Sequence, residues 1–226
     1  VYLIKLITYW NNYIFPNAEN SRIIIDLGEG SADRPTETYI KKVNDTLFEG
    51  HRFSTGWARD QREYFSLIIS KPVSDFIIYD RHKKFKGIER KGGYVKGFLE
   101  FSTEKDEKIM VKMGISTVSS KNALENMMVE LPHWDFDRVK RNAEQKWEKE
   151  LAKIKIKTKD KKKKRVFYTA MYHTMIAPNL YHDLNGEYRG TDKVVYKDSS
   201  FTNYTLFSLW DTCLLYTSPS PRDFQV

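Results

Sequence analysis

From residue 1 to about 118 the apolar positions come in short bursts separated by turn-forming breaks, and nowhere do they recur at helical intervals. Ile4-Lys5-Leu6-Ile7-Thr8-Tyr9-Trp10 and Arg22-Ile23-Ile24-Ile25-Asp26-Leu27 are rich in the β-branched and aromatic residues that suit a pleated, half-buried surface. Phe15-Pro16-Asn17 and Gly28-Glu29-Gly30 punctuate them. Further bursts follow at Gly50 to Trp57, Glu63 to Ser70, Phe76 to Tyr79, Tyr94 to Phe101 and Lys108 to Ile115. Pro72 should end pairing after the second of these, and Gly92-Gly93 and Thr103-Glu104-Lys105-Asp106 are turns between the last ones. Many short strands at close spacing predict a β-sandwich rather than a parallel α/β sheet.

The period then changes. Ser119 or Ser120 can cap a short helix that runs to Glu130 and stops before Pro132. Asp135 can cap a longer one, on which Phe136, Val139, Ala143, Trp147, Leu151 and Ile154 form one apolar stripe at intervals of three and four. A third helix is predicted over Val166 to Ala177, ended by Pro178. Its apolar residues lie on nearly every side, as in an inner helix buried all round. Asn185-Gly186 predicts a type I′ hairpin turn, and Thr202 to Leu209 a further helical run. The domain organisation expected is a β-sandwich over 1–118, a helical linker over 119–158 and further helices over 159–212. The tail over 213–226 continues no pattern and resembles a translated sequencing adapter, so it is expected to be non-native. The chain starts at Val1 without Met and shows no signal-peptide pattern, which suggests lost first residues or an internal piece of something longer.

Composition narrows the function classes. The 226 residues are 40% hydrophobic and 14% aromatic, which is the make-up of a folded protein. No apolar run approaches the roughly 18 residues needed to span a bilayer. The net charge of +8 invites a nucleic-acid partner, but much of it sits in the lysine run from Lys153 to Arg165, with no interleaved aromatics of the kind a single-strand groove uses. That run is expected to be a solvated, extended connection. A single cysteine, Cys213, cannot build a disulfide framework or a zinc cluster within the chain. Asp183 and Asn185 fall short of a calcium loop, which needs further acidic or amide positions around its Gly and a later Glu.

One pair near the C-terminal end suits either a sugar or an ordinary packed tryptophan beside a capping or surface aspartate. Trp210-Asp211 offers a flat apolar face beside an ionised acceptor, and a sugar ring stacks on the one while its hydroxyls donate to the other. His173, on the third predicted helix, suits either a core histidine or a site residue.

A series of motifs in one order then resembles family 92 of the glycoside hydrolases. They are Gly56-Trp57-Ala58-Arg59-Asp60-Gln61, Ser70-Lys71-Pro72, Gly114-Ile115-Ser116 with Val118-Ser119, Ala123 with Asn126 and Glu130, and Trp134-Asp135-Phe136-Asp137. Ala143 with Trp147, Phe167-Tyr168-Thr169-Ala170 with Tyr172-His173, Tyr188-Arg189-Gly190 with Asp192, and Phe207-Ser208-Leu209-Trp210-Asp211-Thr212 complete the series. The resemblance covers about residues 12 to 212. It implies an N-terminal β-sandwich, a helical linker and the first helices of an (α/α)6 catalytic barrel. It also implies a calcium-dependent, inverting exo-α-mannosidase, many members acting on α-1,2 links, whose partner is a mannose-containing oligosaccharide or glycoprotein glycan.

By the same resemblance, Trp210 and Asp211 contact the terminal mannose. Arg189, Asp192 and His173 are candidate substrate-binding residues, and Trp57 either packs or reaches the site. The general acid, the base and the calcium ligands are expected downstream of this stretch, so a piece this long is expected to hydrolyse nothing. A periplasmic, cell-surface or secreted location follows from the family. The family continues its last motif with an aromatic and an Arg where this chain has Cys213 and Leu214. The residues themselves leave open another sandwich-plus-helical-barrel glycosidase or phosphorylase, and a non-catalytic carbohydrate-binding sandwich.

Overall fold

The computed structural model describes residues 8–30, 32–56, 58–176 and 178–205. Ten strands come first: β1 (Thr8–Phe15), β2 (Ala18–Asp26), β3 (Arg34–Lys42), β4 (Leu47–Thr55), β5 (Gln61–Ile69), β6 (Asp75–Asp80), β7 (Lys83–Phe85), β8 (Glu89–Gly92), β9 (Val95–Thr103) and β10 (Glu107–Ser116). Three helices follow, α1 (Ser120–Glu130), α2 (Phe136–Leu151) and α3 (Lys161–His173), then the short strands β11 (Glu187–Arg189) and β12 (Val195–Lys197). Of the described residues, 8–134 and 182–199 form one compact unit, and 135–181 with 200–205 another.

The first unit is the sandwich. A six-stranded sheet in the order β1-β10-β5-β4-β3-β8 faces a four-stranded sheet in the order β2-β9-β6-β7, with all pairs antiparallel. Alternation along β9 shows why the sequence folds this way: Val95, Leu99 and Phe101 are buried and their neighbours are less so. They meet Ile40, Phe48, Phe65, Leu67, Ile69, Ile78 and Ile109 in one core. Thr38 of β3, fully buried, links the sheets by donating to the Gly92 carbonyl and accepting from the Val95 amide, both at 3.0 Å.

Helix α1 lies on β10 and β5. Of the two serines anticipated as caps, it is Ser119 whose side chain accepts from the Asn122 amide as the N-cap, and Ala123 and Met127 are fully buried. A Cβ on Gly114 would sit 2.1 Å from the Ala123 carbonyl oxygen, so only glycine admits the helix backbone this close. Gly114→Ala should therefore cost about 1–3 kcal/mol, read as a fall in the urea midpoint at constant m-value. Lys112 is buried under the end of α1. Its ammonium donates to the Leu131 carbonyl at 2.8 Å and lies 4.0 Å from the Trp134 ring centroid, and desolvation lowers its pKa.

Beyond α1, the outer face of the larger sheet carries an aromatic strip. His51 stacks on Phe53 at 4.2 Å and on Tyr39 at 5.3 Å, and meets Tyr64 edge-on. Its Nε2 lies 2.9 Å from Glu37, which also pairs with Lys91 at 2.7 Å. Burial pushes the His51 pKa down more than the Glu37 charge raises it, while bonds from Lys91 and His51 hold Glu37 low against its own desolvation. The Tyr39 hydroxyl, desolvated and bonded to Glu89, is pushed up to about 12. Both His51 and Glu37 have depressed folded values, so in each case the unfolded chain takes up the proton first as pH falls. Stability should decline from about pH 6.5 through His51 and again below about pH 4.5 through Glu37. In thermal melts across pH 7 to 4, His51→Gln should remove the upper part of the decline; parallel curves would contradict this.

In the second unit, Asp135 caps α2, and Phe136, Val139, Ala143, Trp147 and Leu151 are its half-buried stripe, as the spacing predicts, but Ile154, expected on that stripe, lies beyond the helix and is exposed. The Trp147 ring lies 4.6 Å from Tyr172 of α3.

Five further expectations are corrected. Helix α3 starts at Lys161 rather than Val166, because Asp160 accepts from the Lys162 and Lys163 amides. The end of the lysine run is thus the first turn of a helix, not an extended connection. No residue of α3 is buried, since α2 is the helix that packs on it among the described residues. Residues 202–205 are not helical; Tyr204 instead forms an antiparallel bridge with Leu180. Asn185-Gly186 is not a type I′ turn, because Gly186 has positive φ (81°) but Asn185 does not. Its amide side chain accepts from Glu187 N, and the hairpin turn proper lies further on, around Lys193.

Candidate functional site

The candidate residues that the structure describes in the sandwich unit gather where the hairpin of β11 and β12 meets the loop before β5. Glu187 pairs with Lys197, Tyr188 with Tyr196, and Arg189 with Val195. Lys193, at φ 75°, closes the turn by donating its amide to Gly190 O at 3.0 Å. Asp192 organises the same turn: one carboxylate oxygen accepts from Val194 N at 3.1 Å and the other from the Tyr196 hydroxyl. Those bonds hold the Asp192 pKa below the usual carboxylate range, and the hydrogen bond to Asp192 raises that of Tyr196. Asp192 therefore shapes the hairpin, with both oxygens engaged.

Arg189 faces inward. It is 8% exposed, its Nη2 donates to Asp60 at 2.7 Å and its Nε to Lys193 O at 3.3 Å. Its Nη1 is buried without a hydrogen-bond partner, a donor left for an oxygen atom. Lys193 Nζ also reaches the Asp60 carbonyl at 3.3 Å, and Arg62 Nε reaches the other Asp60 carboxylate oxygen at 3.2 Å. Desolvation raises the Asp60 pKa, but the bonds from Arg189 and Arg62 outweigh it, so Asp60 stays ionised. The motif ending in Arg59-Asp60-Gln61 and the motif Tyr188-Arg189-Gly190, separated by more than a hundred residues, are thus joined by an ion pair.

Behind the hairpin lies a buried polar network. Asp183, 4% exposed, accepts from Ser116 Oγ at 2.6 Å, Asn122 Nδ2 at 2.8 Å and Asn126 Nδ2 at 2.7 Å. Asn126 also accepts from Leu184 N at 2.9 Å, and Asn122 donates to Glu187 at 2.8 Å. That bond lowers the Glu187 pKa. Asn122 and Asn126 stand four apart, so one face of α1 carries both. The network ties the start of the hairpin to the helix and the end of β10. Sequence reasoning singled out Asp183 only as part of a failed calcium loop; the four-residue spacing of the two asparagines was the available signal.

His173 ends α3, is exposed, and meets Tyr172 at 5.7 Å. It belongs to the other compact unit. Trp57, Trp210 and Asp211 lie outside the described residues. Among the described residues no three His, Cys, Asp or Glu side chains converge as a metal site would require, so none of them is offered as a calcium ligand. No helix among them is long and apolar enough to cross a membrane.

The chain matches the glycosyl hydrolase family 92 N-terminal domain over residues 10–116 and the glycosyl hydrolase family 92 catalytic domain over residues 122–216. It is similar to a solved family 92 α-mannosidase from Bacteroides thetaiotaomicron, with a TM-score of 0.87 and 31% identity over 92% of this chain and 29% of that one. The same enzyme in complex with mannoimidazole gives a TM-score of 0.86 at 31% identity, over 92% of this chain and 28% of that one. An uncharacterised secreted glycosidase of Arthroderma benhamiae is 30% identical over 96 residues, which is 39% of this chain and 12% of that protein. The chain therefore spans less than a third of the proteins it matches.

Proposed function

Because the chain belongs to glycosyl hydrolase family 92, we propose that it supplies the sandwich and first barrel helices of an exo-acting, inverting α-mannosidase. The enzyme removes terminal α-linked mannose from glycans outside the cytoplasm. The observation that carries this is the likeness, over nine-tenths of the chain, to an α-mannosidase at 31% identity.

Inverting hydrolysis adds water to the anomeric carbon on the face opposite the departing oxygen, which takes a proton from a carboxylic acid while a carboxylate deprotonates the water. Neither of those two groups is assigned to a residue of this chain, and this stretch without them hydrolyses nothing. Its own residues bind and orient. Trp210 stacks on the sugar's C–H face and Asp211 accepts from its hydroxyls, fixing the ring for attack. The ion pair of Arg189 and Asp60 holds the start of β5 against the hairpin, with the free Nη1 of Arg189 as a donor to a sugar oxygen, and Asp192 keeps that hairpin in shape. Calcium dependence belongs to the same proposal, with ligands outside the described residues, and no step here runs through the ion.

The experiment is a substrate panel offered to the protein in which this stretch continues into a whole family 92 catalytic domain. Release of the aglycone from an aryl α-mannoside, with little from the α-glucoside or β-mannoside, is expected. Activity that requires inorganic phosphate and yields a sugar phosphate would assign a phosphorylase instead.

A further inference from the structure

A cleft lies away from the hairpin site, at the open side of the sandwich between the start of β6 and the chain leaving β7. Its origin is a splayed pair of strands. β6 pairs with β7 only over Ile78–Asp80, through Phe85, Lys84 and Lys83, so Asp75 to Ile77 have no β7 partner. Gly87, at φ 126°, turns the chain away toward β8 and β3, and nothing lies within 4 Å of where its Cβ would be. The result is a cleft of about 410 Å³, within the range of small-ligand sites.

Its lining combines apolar surface with excess positive charge. Ile77, Phe85 and Ile88 contribute apolar area, and Ile88 is 59% exposed. Lys42, Lys84 and Lys86 face one carboxylate, Asp75, whose oxygen is already folded onto the Phe76 amide at 2.8 Å. Lys42 is paired with Asp45 at 2.7 Å. Lys84 and Lys86 have no ion-pair partner among the described residues. Two free ammoniums beside an exposed apolar wall suit a ligand that carries an anionic group on a compact body with an apolar face.

We propose that this cleft is a second carbohydrate site, taking an acidic sugar whose carboxylate bridges Lys84 and Lys86 while its C–H face rests on Ile77 and Ile88, the Phe85 ring being already covered by the Arg90 guanidinium at 3.8 Å. The choice of a sugar over another anion rests on the glycosidase assignment. The site would hold the protein on acidic polysaccharide, independently of mannose at the hairpin site.

The test is titration of the whole 226-residue chain with a galacturonate trisaccharide, a neutral mannotriose and inorganic phosphate, followed by amide NMR shifts. The acidic trisaccharide should shift Lys84 to Ile88 and Asp75 to Ile77, more weakly at high salt. The double variant Lys84→Ala, Lys86→Ala should bind it about tenfold more weakly, while Lys161→Ala, Lys162→Ala in the other basic cluster should not. Equal loss in both double variants, equal shifts by mannotriose, or equal binding of bare phosphate would each overturn the proposal. Both pairs of lysines are exposed, and unchanged circular dichroism would establish that each variant is folded. A failed mannosidase assay would leave these shifts unaffected, and absent shifts would leave the mannosidase assignment standing.

Discussion

Asp183→Ala should lower the unfolding free energy by about 2–4 kcal/mol, among the largest effects of any single polar substitution in the sandwich unit. The buried carboxylate accepts from Ser116, Asn122 and Asn126, and Asn126 in turn holds the Leu184 amide. Truncation leaves three donors facing a small cavity. The loss is not the sum of three orphaned groups, because Asn122 keeps Glu187 and Asn126 keeps the Ile115 carbonyl. Asp183→Asn should recover part of the loss, since one oxygen still accepts but the new amide opposes the asparagine donors. Urea titration checks both; a loss under about 1 kcal/mol for the alanine variant would mean that the network does not hold the hairpin to α1.

The second large effect is on activity. In the continuous enzyme, Asp211→Ala should lower kcat/KM by about 100–1000-fold. A carboxylate accepting from two mannose hydroxyls makes two charge-assisted hydrogen bonds, each about 1.5–2 kcal/mol, and each 1.36 kcal/mol is a factor of ten in rate. Bonds that strengthen as the ring distorts would show in kcat, whereas uniform binding would show only in KM. Trp210→Ala should act chiefly through KM, because stacking holds the ring in both states. Steady-state kinetics on the two variants distinguishes these roles, and wild-type kinetics for Asp211→Ala would remove it from the site.

The sandwich was legible because its strands carry bursts of β-branched and aromatic residues bounded by Gly and Pro, and its two layers follow from burying one face of each sheet. Ser119 and Asp135 announced their helices by the chemistry of capping. Strand β3 escaped notice because Pro35 and its polar neighbours hide an alternation in which Thr38 and Ile40 are the only fully buried positions. The apolar ring of residues on α3 suggested burial on all sides, but burial is set by neighbouring elements and not by the helix itself.

At the candidate site, the motifs containing Asp60 and Arg189 could be read singly, while their ion pair could not. It joins positions far apart in the chain, and only the register of the hairpin and the loop before β5 brings them together. The same holds for Asp183, a residue of a turn in sequence and the centre of a buried network in space.

The most direct measurement is proton NMR of mannose released from α-1,2-mannobiose by the protein that continues this stretch into a whole catalytic domain. The enzyme proposed here should release β-mannose first, which then mutarotates, and should stop when calcium is chelated. Initial α-mannose would contradict inversion, and no mannose at all, with calcium present and the protein folded, would contradict the assignment of an α-mannosidase.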